Sequence, residues 1–151
     1  MFFRQLLFLQ RYESFPFLFI VSLLGSCSKE KRFEETAKGS WDLSRMMITD
    51  GQLQETIIYD PQGEIHFNFQ NSYVTGSCLF AIPVNNVLSQ FTMDFSSTAL
   101  IYDSESQTLM FGQDQYQNTF KVILLTNRDL VLEYYDALNF QLRKFIFVKQ
   151  E

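Results

Sequence analysis

From Gly39 to the C-terminus, turn-forming residues recur every 8–12 or so positions, and the runs between them are too short for anything but strands. They fall at Asp50-Gly51, Asp60-Pro61-Gln62-Gly63, Asn71-Ser72, Pro83 to Asn86, Ser96-Ser97, Asp103 to Gln107, Gly112 to Gln117, Thr126 to Asp129 and Asp136 to Asn139. In Asp60-Pro61-Gln62-Gly63 the proline pre-sets the backbone and the glycine closes the turn, which predicts a hairpin there. The run after it alternates: Ile65, Phe67 and Phe69 point one way, and Glu64, His66, Asn68 and Gln70 the other. Period two makes this a half-buried strand, and 52–59 is its expected partner across the turn. Runs 120–125 and 130–135 are apolar on both faces and predict another hairpin. The last strand, 140–149, changes phase near Lys144, which predicts a bulge.

No amphipathic helix, parallel crossover or internal repeat is legible. Eight to ten antiparallel strands in meander order hide their edges best by closing on themselves, so the expected fold is an all-β, antiparallel up-and-down barrel of about eight strands. The aromatic fraction of 17% suits pleated, half-buried surfaces.

Ahead of this domain, Arg4 and Arg11 precede an apolar run from Phe15 to Leu24. A membrane span needs about 20 apolar residues, so this run predicts a signal peptide over 1–26. Leu24-Gly25-Ser26-Cys27 resembles the lipobox of bacterial lipoprotein precursors. The resemblance implies cleavage before Cys27, palmitate-type acylation of its thiol, and anchoring through two or three acyl chains. Residues 27–38 are mostly charged and predict a tether. Ser28 is not the aspartate that marks inner-membrane retention, which points to the outer membrane of the cell envelope. Loss of Arg4, Arg11 and Glu13 takes 12 basic and 17 acidic residues to 10 and 16, a formal charge of −6. That balance argues against a nucleic-acid partner.

Gly39-Ser40-Trp41 opening the first strand, followed by an Asp50-Gly51 tip, resembles the Gly-x-Trp signature of lipocalin-fold barrels. The closing hairpin, Leu125-Thr126-Asn127-Arg128-Asp129-Leu130, is similar to those of lipocalin-like lipoproteins of the Bacteroidetes. The resemblance covers roughly residues 39–151. A second lipocalin signature, a Thr-Asp-Tyr loop, is absent, with Thr126-Asn127-Arg128 in its place. The resemblance implies that Gly39 and Trp41 are structural, with Trp41 at the closed end against the terminal strand and Arg143 or Lys144 over its ring.

Catalytic chemistry has little to work with. His66 is the sole histidine and lies on a polar strand face, where solvation is the ordinary outcome. Cys78 stands in an apolar run, as a small hydrophobe does, and two cysteines make neither a disulfide framework nor a zinc site. Asp94, Asp103, Glu105, Asp114, Glu133 and Asp136 are scattered over loops and strand ends. The expectation is a non-catalytic domain without cofactor or metal. Phe67, Phe69, Phe95 and Tyr134 are candidate ligand-binding residues, with Phe80, Phe111 and Tyr135 as further lining. An eight-stranded barrel is either filled by side chains or just holds one small ligand. The first alternative fits a scaffold or inhibitor with an envelope protein partner, the second a binder of a small hydrophobic molecule.

Overall fold

The structure is a computed structural model and describes residues 29–59, 61–84, 87–111 and 118–151. The expected signal peptide, Cys27, and part of the turns expected at 83–86 and 112–117 lie outside the described residues. A helix, α1 (29–37), precedes ten strands. These are β1 (Gly39–Thr49), β2 (Glu55–Tyr59), β3 (Gln62–Asn68), β4 (Tyr73–Val84), β5 (Val87–Asp94), β6 (Leu100–Asp103), β7 (Thr108–Phe111), β8 (Asn118–Leu125), β9 (Asp129–Asp136) and β10 (Gln141–Lys149). All pairings are antiparallel, in the order β5-β4-β3-β1-β10-β9-β8-β7-β6, with β2 also on β1.

The hairpin expected at Asp60-Pro61 does not form. Both β2 and β3 run antiparallel to β1 on the same edge, at Arg45 to Thr49 and Gly39 to Asp42 respectively. They are therefore one kinked strand. Arg45 faces Tyr59 but Asp42 faces Glu64, so two extra residues are absorbed at the kink. Proline has no N–H to give to a ladder, so the break falls there. The reversal comes earlier, at Asp50, whose Oδ1 accepts from Gln52 N and Gln54 N, each at 2.9 Å. The partner of β3 is β4, and that of β2 is β1.

The sheet is not strictly closed: β5 and β6 end its path, and residues 95–100 bridge the gap between them. Register along β4 runs from Val84↔Val87 to Ser77↔Asp94 and continues as Val74↔Ser97. Phe95 N donates to Gly76 O (2.8 Å) and Leu100 N to Ser72 O (3.0 Å). Leu100 then pairs with Phe111 of β7. Ser96-Ser97, expected as a turn, is instead the seam where one strand leaves β4 and joins β7. Joining β5 to β6 and β2 to β3 turns the ten segments into eight strands around the barrel. The seam rests on a few bonds rather than a full ladder.

The expected bulge in β10 is displaced. Arg143, Phe145 and Phe147 keep strict alternation, and the extra residue is Ser44 of β1, between Leu43↔Phe147 and Arg45↔Ile146. A second bulge sits at Ile123 of β8.

Residues 29–37, expected as a tether, are helical. Phe33 and Ala37, one turn apart, make its apolar face and are buried. Phe33 stacks on Tyr102 at 3.6 Å and meets Phe69 edge-on at 5.9 Å. The helix ends at the Lys38 N to Glu34 O bond, and Gly39 (φ +101°) turns the chain directly into β1. Packing against the barrel supplies what so short and charged a segment lacks by itself.

Candidate functional site

The strand directions sort the connections into two ends. One end gathers α1 and the turns 69–72, 104–107 and 126–128; the other gathers 50–54, 137–140, the β4–β5 connection and the connection 112–117, the last of which lies outside the described residues. The first is closed. Trp41 is fully buried there, with its Nε1 donating to Ala37 O at 2.8 Å. The cation over its ring is Lys149, at 4.7 Å, in place of the expected Arg143 or Lys144. Lys149 is the residue paired with Trp41, whereas Lys144 and Arg143 face Met47 and Ile48 much further along β1. Lys149 also donates to Thr36 O at 2.7 Å, and burial, followed by the nearby Lys38 charge, lowers its pKa. Beside α1 lies a cleft of about 490 Å³ lined by Lys29, Arg32, Phe33, Thr36, Leu125, Thr126 and Asn127.

Above Trp41 the interior is filled. Phe95 meets Phe111, Phe120, Phe145 and Phe147 edge-on at 5.7–6.3 Å, and Phe111 stacks on Phe120 at 4.6 Å. Each of these rings is essentially inaccessible to water. Edge-to-face and offset pairs are the favoured aromatic geometries, so this layer is a packed core with no room to lose.

The next layer towards the other end is different. Register places Cys78, Phe80 and Ile82 of β4 on the same face as Met93, Phe91 and Ser89 of β5. Cys78 and Phe80 are buried, but Ile82 and Met93 are only partly covered and Phe91 is 38% exposed. The inner wall of this hairpin therefore runs from the core out into solvent. Opposite it stand the inward residues of β9 and β10, Tyr134, Asp136, Gln141 and Arg143. Arg143 Cζ lies 5.7 Å from the Phe80 ring centroid. Its Nη2 donates to Asp136 Oδ2 and, at 3.4 Å, to Gln141 Oε1. Its Nε is buried and has no hydrogen-bond partner among the described residues.

Asp136 is the organiser of the 137–140 turn. Besides Arg143, it accepts from Leu138 N (3.1 Å), Asn139 N (3.3 Å) and Asn139 Nδ2 (2.7 Å). Burial works to raise its pKa, but the Asn139 side chain, the Arg143 charge and the turn amides outweigh it and hold the carboxyl below its ordinary range. A depressed folded-state pKa gives stability that is complete above the unfolded value of about 3.9 and lost as pH falls through the folded one. Asp136→Asn should therefore cost about 2 kcal/mol at neutral pH, because it leaves Arg143 without its counter-charge. The difference from wild type should shrink below about pH 4, as denaturant melts across pH would show. An unchanged midpoint at pH 7 would refute it.

A lipocalin-like domain profile matches residues 21–145. The chain belongs to the lipocalin-like domain family. No curated protein matches the chain. Among solved structures, it is similar to bovine odorant-binding protein in complex with a selenium-containing odorant, at 17% identity and a TM-score of 0.42, over 78% of this chain and 73% of that one. It is also similar to aphrodisin, a sex pheromone from female hamster, at 13% identity, TM-score 0.38 and 76% and 75% coverage. A dog lipocalin allergen follows, at 11%, 0.37, 74% and 72%.

Within this lipocalin-like domain the four residues expected at a ligand site, Phe67, Phe69, Phe95 and Tyr134, belong to one connected set of ring contacts that runs through Phe111 and Phe120, at different depths and with different burial. Phe67 and Phe95 are sealed in the core, and Phe69 packs under α1 against Phe33 and Phe67. Only Tyr134, 5.2 Å from Phe120, stands in the layer facing the mouth. Arg143 is the residue that sequence reasoning missed there. The signal was its phase with Phe145 and Phe147, hidden by a bulge assigned to the wrong strand. His66 is on the outer face, bonded through Nδ1 to Ser40 Oγ at 2.8 Å. Burial pushes the Cys78 thiol up to about 11, so at neutral pH it is a protonated, unreactive filler. Among the described residues no cluster of three His, Cys, Asp or Glu is arranged to hold a metal, and no helix is long and apolar enough to cross a membrane.

Proposed function

We propose that this protein is a membrane-anchored, non-catalytic lipocalin-like binding protein that takes a small hydrophobic molecule at the open end of its barrel. The ligand reading is carried by the inner face of the β4–β5 hairpin, where Phe91 beside buried Phe80, Ile82 above it and Met93 below it face inward yet are only partly covered. Concave apolar surface with a few convergent polar groups is what small-molecule sites are made of. The packed phenylalanines restrict the site to the mouth. The anchor reading rests on the lipobox-like Leu24-Gly25-Ser26-Cys27, and Ser28 favours the outer membrane. Lys29, Lys31 and Arg32 follow the cysteine closely, and cations so placed each add about 1 kcal/mol of attraction to an anionic lipid surface.

The rim supports a second reading, docking of an envelope protein partner. Leu138 is 92% exposed and Leu53 85%, with Phe140 and Leu88 also largely bare. Leu53 and Phe140 hold left-handed φ of 61° and 51°, an uncommon backbone for such side chains.

Native mass spectrometry of the full-length protein from host-type membranes, before and after organic extraction, tests both. The ligand reading expects a discrete added mass that Ile82→Trp abolishes while the fold survives. A hundredfold ligand excess over the dissociation constant should stabilise the fold by about 2.7 kcal/mol. The anchor reading expects acyl mass on Cys27 and its loss in Cys27→Ser. Absence of any bound mass, with one envelope protein recovered by cross-linking, would transfer the function to the rim.

A further inference from the structure

We infer that the mouth takes its ligand acid group first: an amphiphile whose carboxylate receives the Nε–H of Arg143 and whose apolar body lies along Phe91, Ile82 and Val87. The inference rests on the mouth being the ligand site and goes on to name the class of molecule and the residue that selects it.

The unequal satisfaction of the Arg143–Asp136 pair points to it. The Asp136 carboxylate accepts four hydrogen bonds, from Arg143 Nη2, Leu138 N, Asn139 N and Asn139 Nδ2. Its Oδ1 is given wholly to the turn amides, so it meets the guanidinium through Oδ2 alone. The cation is left short. Its Nε–H is buried with no acceptor among the described residues, the only side-chain polar atom among them in that condition. A buried donor without a partner costs its full desolvation, so such a group marks a place where an acceptor belongs.

The surroundings say what kind of acceptor. Arg143 sits at the floor of the mouth, over the Phe80 ring and in phase with the phenylalanines beneath it. Phe91 pairs with Phe80 at the level of that floor, and above it the β4–β5 wall climbs through Ile82 and Ser89 to exposed Val87, becoming wetter along the way. A molecule filling this space needs an anionic oxygen at its deep end and an apolar body at its shallow one. A carboxylate fits the planar guanidinium through its Nε edge and gains a charge-assisted bond. An alcohol of the same length offers only a neutral acceptor and forfeits the charge.

The test compares decanoate with decanol, each 13C-labelled at its polar carbon, on full-length protein in lipid nanodiscs, with empty nanodiscs as the partition control. Decanoate should give a protein-dependent resonance and bind at least tenfold tighter than decanol. Arg143→Gln should lower decanoate affinity at least tenfold and lower decanol affinity by much less, so that the preference for the acid is lost. Should the single variant lose its near-ultraviolet dichroism, the double variant Asp136→Asn/Arg143→Gln, which removes both charges, decides instead by the same comparison. If both molecules bind alike in wild type and variant, the acid preference is wrong and the mouth site stands. If neither gives a protein-dependent signal, the mouth site itself falls, and this inference with it.

Discussion

Trp41→Ala should lower the stability of the domain by about 3–5 kcal/mol, the range for large aromatic truncations in cores. Three contacts disappear together. The indole is fully buried, so its removal leaves a void where the closed end meets the first strand. Its Nε1–H no longer satisfies Ala37 O, the last buried carbonyl of α1. Lys149, which now caps the ring at 4.7 Å, faces an empty space. Trp41→Phe should cost roughly 1–2 kcal/mol, because it keeps most of the volume and gives up the hydrogen bond. Trp41 is the sole tryptophan, so wild-type emission should be blue-shifted and should move to the solvent value in one step on unfolding. Equilibrium denaturation of the two variants checks the magnitudes. A neutral Trp41→Ala would mean that α1 does not plug the barrel.

Gly76→Ala should be more damaging still, at more than about 4 kcal/mol, beyond the usual span of single substitutions. Gly76 has φ +144°, which side-chain-bearing residues rarely adopt. A Cβ there would collide with Glu64 O and lie 2.8 Å from Ile65 Cα, and both are backbone atoms that cannot swing aside. The strand pair must separate, and the damage spreads because Phe95 N donates to Gly76 O at the seam. Loss of the β3–β4 contact thus loosens closure as well. Thr75→Ala, one residue away and exposed, should be close to neutral. Soluble yield and thermal melting of the two variants separate the outcomes, and similar behaviour of both would refute the steric account.

What was legible in the sequence was what depends on neighbours along the chain. The alternation of Ile65 and Phe67 put the right faces inward, and the 126–129 turn joined the strands expected of it. Trp41 is buried beneath α1, with its Nε1 on Ala37 O. What was not legible depends on partners far away. Nothing in 55–68 announces that its two halves share one edge of β1, because a proline-glycine turn and a proline kink begin with the same residues. Helix α1 has two apolar side chains, and their burial requires Tyr102 and Phe69, which no local pattern reveals. The depths of the four candidate ligand residues were not legible for a similar reason. Inward direction could be inferred from phase, but depth in the barrel comes from strand stagger. Depth is what separates sealed Phe95 from half-wet Phe91.

The longest ladder to β1 joins residues about a hundred positions apart, from Trp41↔Lys149 to Thr49↔Leu142. During synthesis the first strand therefore waits for the last. Until residue 149 has emerged, β1 has one open edge, Trp41 lacks its lid, and α1 lacks the Lys149 bond to Thr36 O. Pairings of such sequence separation are slow to form, since the chain entropy is spent before the contacts are made. Until then the chain should be unable to close, with phenylalanines exposed, the kind of species that aggregates. This protein should thus depend on holding factors while it is made, and should tolerate loss of its final strand far worse than its final two residues, Gln150 and Glu151, both exposed.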